Sequence, residues 1–131
     1  MLGEKNVAAT LAVSDMGAAR EFYEGKLGLA PIESPMPDEE AVLYRSGASV
    51  LFVYRSAYAG TNQATGASWA AGEDFDAIVE DLRSKGITFE HYDDLPGTTR
   101  EGDVHNLGGG GRAVWFKDPS GNILNVGNLQ A

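Results

Sequence analysis

Along this chain short apolar runs of strand character alternate with two stretches of helical period, and the order is the same in each half. Asn6 to Val13 is an apolar run that ends at Ser14-Asp15, two helix-capping types, after which Ala18, Phe22 and Tyr23 recur at helical spacing. Gly25 to Gly28 should stop that helix. Leu29 to Ser34, Ala41 to Arg45 and Ser49 to Arg55 then read as strands, separated by the loop Pro35-Met36-Pro37-Asp38 and the tight turn Ser46-Gly47-Ala48. Tyr58 to Gly66 is small, polar and without period, as expected of a connector.

The second half repeats the pattern. Ala67 to Ala71 is a strand, Glu73-Asp74 a cap, and Phe75, Ile78, Val79 and Leu82 form the apolar stripe of a helix that ends at Lys85-Gly86. Thr88 to Tyr92 is a strand and Asp93 to Gly111 a long polar, glycine-rich loop. Arg112 to Gly127 is the sharpest signal in the chain. Two β-rich runs flank Asp118-Pro119-Ser120-Gly121, where Asp118 can accept from the turn backbone, Pro119 pre-sets φ and Gly121 supplies the left-handed residue. Counting outward from that turn sets Phe116 opposite Leu124, Trp115 opposite Asn125 and Ala113 opposite Gly127. Each half is therefore βαβββ. Asp15 to Gly28 spans 13 positions and Asp74 to Gly86 spans 12, an internal duplication by spacing rather than identity.

Composition narrows the function. With 131 residues the chain suits one domain, expected as module 1 over 5–57, a connector over 58–66 and module 2 over 67–129. The absence of cysteine excludes disulfides and thiolate chemistry and fits a reducing, cytoplasmic setting. Residues 1–30 lack the pattern of a signal peptide, and no apolar run is long enough to span a bilayer. Nineteen acidic against ten basic residues give a formal charge of −9, which repels nucleic acid and anionic lipid and draws in cations.

Leu-Ala-Val-Ser-Asp followed by Ala-Arg-Glu-Phe-Tyr-Glu-Gly-Lys-Leu-Gly-Leu in residues 11–29, and Phe-Lys-Asp-Pro-Ser-Gly-Asn-Ile-Leu in 116–124, resemble the vicinal oxygen chelate superfamily. That superfamily includes glyoxalase I, extradiol dioxygenases, fosfomycin-modifying enzymes and bleomycin-resistance proteins. The resemblance implies an α+β fold of two βαβββ modules, curled as a mixed sheet around a cleft, in a chain that commonly dimerises. It also implies a divalent metal held from the first and last strands of each module. Counted from the capping and turn residues, those positions fall at Ala8, Leu51, Ala67 and Asn125. Apolar side chains and one neutral amide do not bind such a metal, so no metal or other cofactor is expected.

Other chemistry is sparse. His91 and His105 lie 14 apart without a second histidine at ligand spacing; His91 reads as a sheet-edge residue, His105 as a loop residue able to make a polar contact at the cleft mouth. Gly108 to Gly111 lacks the lysine, hydroxyl residue and helix of a phosphate loop and reads as a flexible cover. Period-2 counting sets Trp69 and Trp115 on the cleft face, where aromatic rings can hold planar or cationic molecules. The expected ligand residues are Trp69, Trp115, Asn125, Leu51, Phe52, Tyr54, Asn62, His105 and Arg112. The reading is of a metal-free, dimeric protein that sequesters or carries an aromatic, cationic compound such as an antibiotic, with no catalytic residues. Two rivals are a glyoxalase-like lyase or dioxygenase with a non-standard metal site, and a dimeric accessory module without ligand.

Overall fold

β1 (Ala9–Val13) ends at Ser14-Asp15, and the Asp15 carboxylate accepts from the Ala18 N–H at 3.1 Å, capping α1 (Met16–Arg20) as the sequence predicts. The helix then widens into a π-helical turn (Glu21–Lys26) that carries Phe22 and Tyr23, both buried, with their rings edge to face at 5.1 Å. These coordinates come from a computed structural model that describes residues 1–129. They divide into two compact units, the first made of Met1–Asn62 with Pro119–Asn122, the second of Gln63–Asp118 with the chain from Ile123 onward.

In the first unit β2 (Ala30–Ile32), β3 (Ala41–Ser46) and β4 (Ser49–Arg55) join β1 in a four-stranded sheet of order β1-β4-β3-β2. β1 and β4 run parallel and the other pairs antiparallel. One face carries Leu11, Val13, Val42, Tyr44, Leu51 and Val53, all buried. Tyr44 ties this face to the helical segment: its ring lies 5.9 Å from Tyr23 and its hydroxyl donates to Glu24 Oε2 at 2.9 Å. Burial first, then the Glu24 hydrogen bond, pushes the Tyr44 phenol well above its ordinary range. The residues 119–122 close the unit. Ser120 Oγ accepts from the Ser14 N–H at 3.0 Å, and Asn122 Nδ2 donates to the Ala12 carbonyl at 2.7 Å.

The second unit repeats the pattern with an addition. Its strands are β5 (Thr65–Ala70), β6 (Phe89–Glu90), β7 (Thr99–Glu101), β8 (Val104–Gly108), β9 (Gly111–Lys117) and β10 (Ile123–Gly127), with α2 (Phe75–Ser84) between β5 and β6. The order is β5-β10-β9-β8-β7, with β6 also paired to β9. As in the first unit, first and last strands are parallel and the last is antiparallel to the one before it. The hairpin register is the predicted one: Phe116 opposite Leu124, Trp115 opposite Asn125, Ala113 opposite Gly127.

The expected loop over 93–111 is replaced in part by structure, because β7 and β8 form a hairpin there and Gly108, at the end of β8, leads through Gly109 and Gly110 into β9. All three glycines take positive φ, which explains the run without a covering role. Val114, Phe116, Leu124 and Val126 are buried on the α2 face of the sheet together with Phe75, Val79, Leu82 and Phe89. Among the described residues no helix is long and apolar enough to cross a membrane.

Candidate functional site

The face of the second sheet turned away from α2 gathers most of the polar and aromatic chemistry. Asn125 on β10 stands between Ser68 on β5 and Trp115 on β9, and Glu90 on β6 stands beyond Trp115, so these four form one row across the sheet. Ser68 is exposed, whereas Asn125, Trp115 and Glu90 are half-buried. The Trp115 indole N–H donates to Thr65 Oγ1 at 3.2 Å, and Asn125 Nδ2 donates to the Val114 carbonyl at 3.2 Å.

Two further rings stand edge to face against Trp115: His105 at 5.0 Å and 89°, and Tyr92 at 5.6 Å and 74°. His105 is 1% exposed, and its Nε2 accepts from the Tyr92 backbone N–H at 3.0 Å. That bond makes Nε2 the unprotonated nitrogen. Burial, then the nearby Arg100 charge, pulls the ring's pKa below its ordinary value; the Ala113 carbonyl acts the other way without reaching hydrogen-bond geometry with Nδ1. Tyr92 is shifted upward, by burial and then by the Glu90 charge, and its hydroxyl has no hydrogen-bond partner. His105 is thus a buried strand residue supporting Trp115, not the loop residue expected.

Three other expected ligand residues stand elsewhere. Trp69 pairs with Val126, on the α2 face, because the β5–β10 register slips between Ile123 and Leu124. Ile123 pairs with Thr65 but Leu124 with Ala67, leaving Gly66 as a bulge that sets Ala67, and with it Trp69 two residues on, on the α2 face rather than beside Asn125. Arg112 also faces α2, where it forms a two-point ion pair with Asp76 (2.8 and 3.3 Å) over the Phe75 ring. The guanidinium holds the Asp76 carboxyl below the usual range. Leu51 is 3% exposed and pairs with Tyr44 on the helix side of the first sheet.

Phe52 and Tyr54 occupy the opposite face of that sheet, half-buried and stacked at 5.7 Å and 11°. Asn62 is exposed in the connector. His91 lies just beyond β6, with Nε2 2.8 Å from Asp103, which also accepts from Arg83. Thr65, Ser68, Glu90 and Tyr92 were not expected at the site; the signal for two of them was the glycine at position 66, where a bulge is common. A cavity of about 580 Å³ in the first unit, lined in part by Arg20, Ile32, Glu33 and Asp38, holds none of the expected residues.

The family model described as Glyoxalase/Bleomycin resistance protein/Dioxygenase superfamily matches residues 6–126. The chain belongs to this superfamily. Its fold is similar to that of lactoylglutathione lyase from Agrobacterium tumefaciens, with a TM-score of 0.66, 20% identity, and coverage of 94% of this chain and 92% of that one. The fosfomycin resistance protein FosX from Listeria monocytogenes gives 0.67 at 13% identity, covering 94% and 91%. An integron cassette protein from the mobile metagenome of the Halifax Harbour sewage outfall gives 0.68 at 15%, covering 95% and 99%. No curated protein matches in sequence.

A mutant of the Listeria protein is complexed with Mn(II). The superfamily's metal positions on first and last strands can be tested here unit by unit. On the face away from α2 the adjacent pair is Ser68 and Asn125; on the corresponding face of the first sheet Thr10 pairs with Phe52. Register thus replaces Ala8, Leu51 and Ala67 by Thr10, Phe52 and Ser68. Two hydroxyls, a phenyl ring and an amide do not fit manganese, zinc or nickel, which want carboxylate or imidazole. Among the described residues no group of three or more His, Cys, Asp or Glu is placed to hold a metal ion.

Proposed function

We propose that this superfamily member binds a small planar organic molecule on the face of the second sheet around Trp115, without a metal, and acts by sequestration or carriage. The observation that carries the reading is the mounting of Trp115. Its indole N–H is anchored to Thr65 and its flanks are braced by His105 and Tyr92, yet the ring stays half-buried beside Asn125. A ring so fixed loses little freedom when a planar ligand stacks on it, and such stacking contributes roughly 0.5–1.5 kcal/mol beyond area burial. Ser68 and Asn125 add a hydroxyl and an amide, the few placed polar groups a mostly apolar site uses for orientation. Antibiotics with planar ring systems are within the class.

Native mass spectrometry of the protein as purified tests the reading. The expected spectrum carries no stoichiometric divalent ion and accepts a planar aromatic compound in one-to-one ratio per chain. About one zinc, nickel, manganese or iron per chain, removable by chelator with loss of a measurable activity, would instead establish a metal-dependent lyase or dioxygenase.

A further inference from the structure

We propose that the Trp115 face takes a planar cation, and that the Glu90 carboxylate selects its charge. This rests on the ligand face argued above and names the class of molecule it holds. β6 pairs with β9 so that Glu90 stands directly opposite Trp115 on the same side of the sheet. The Glu90 side chain is 32% exposed, and its ion-pair partner is Lys117 Nζ at 3.6 Å, outside hydrogen-bond distance. Among the described residues no donor reaches the Glu90 carboxylate.

The Glu90 carboxylate, balanced by a lysine no closer than 3.6 Å, places negative charge beside the Trp115 ring, and a positive ring stacked there meets it at close range. The surrounding groups favour that sign. Tyr92, whose phenol is pushed upward by burial and by Glu90, adds no negative charge of its own, and His105, with its pKa pulled down by burial, adds no positive charge. Three rings beside one carboxylate make an arrangement that attracts cations through both quadrupole and charge. Lys117 lies two residues along β9 from Trp115 on the same face, as an internal cation that the ligand displaces.

The test uses a matched pair of probes, N-methylquinolinium and methylnaphthalene, titrated into the full chain while the Trp115 indole resonance is followed by NMR. The cation should bind roughly tenfold more tightly than its neutral isostere, through Coulomb attraction to the carboxylate and cation–π attraction to the rings. Glu90→Gln should remove most of that ratio, and Lys117→Met should raise cation affinity. Equal binding of the two probes, or a ratio that Glu90→Gln leaves undiminished, overturns charge selection by Glu90 and leaves the aromatic face standing. Binding of neither probe overturns the face itself and this inference with it. Should Glu90→Gln not fold, an unchanged cation affinity in Lys117→Met is the overturning result.

Discussion

Trp115 and Trp69 are the two tryptophans of the chain, and they stand on opposite faces of one sheet. Trp115→Ala should weaken a stacked planar ligand by about 1–3 kcal/mol. Trp69→Ala should leave ligand affinity unchanged and lower the denaturation midpoint, since the residue is half-buried and pairs with Val126 on the α2 side. Isothermal titration and chemical denaturation on both variants separate the two roles; reversed outcomes would exchange them. His105 adds a dependence on pH. Its folded-state pKa lies below the unfolded value of about 6.5, so the unfolded chain binds the proton more readily. Its contribution is therefore intact above about pH 7 and is lost as pH falls through that unfolded value toward the folded one. Protonation would also set two donors face to face at the Tyr92 N–H. In His105→Phe the denaturation midpoint should change less between about pH 7 and 5 than in the parent.

Elements that depend on local turn chemistry were legible in the sequence. The Asp15 cap, the α2 stripe and the β9–β10 register all follow from residues within a turn or two of one another. Face assignments that depend on a distant partner were not. The bulge at Gly66 is fixed by pairing β5 to β10, nearly 60 positions away, and it alone moves Trp69 and Ala67 off the expected face. Leu51 failed in the same way, since its parity is set by its pairing with Tyr44 and Ala9 rather than by spacing from Gly47. Leu51→Ala should accordingly cost about 2–5 kcal/mol of stability, as for a core leucine, with ligand affinity preserved. The β7–β8 hairpin was hidden because its strands are short and polar.

Gly60 is a second element-scale case. It has a positive φ, and a Cβ there would come within 2.1 Å of the Ser120 carbonyl oxygen, so Gly60→Ala should destabilise by at least about 1–3 kcal/mol. Thermal denaturation measures it; an unchanged midpoint would mean the 119–122 turn shifts freely.

Taken as a whole molecule, a charge of −9 should make cation binding fall with salt more steeply than binding of a neutral isostere. The superfamily resemblance also leads us to expect a two-fold dimer, running near twice 13.9 kDa by light scattering at micromolar concentration. The closing of the first unit by Pro119–Asn122 has a consequence in time. During synthesis the β1–β4 sheet emerges early, but the Ala12 carbonyl and the Ser14 N–H wait for Asn122 and Ser120, more than 100 residues later. At roughly 5–20 residues per second the ribosome leaves that sheet without these two bonds for several seconds or more, so its end at Ala12–Ser14 is the last part of the unit to be finished.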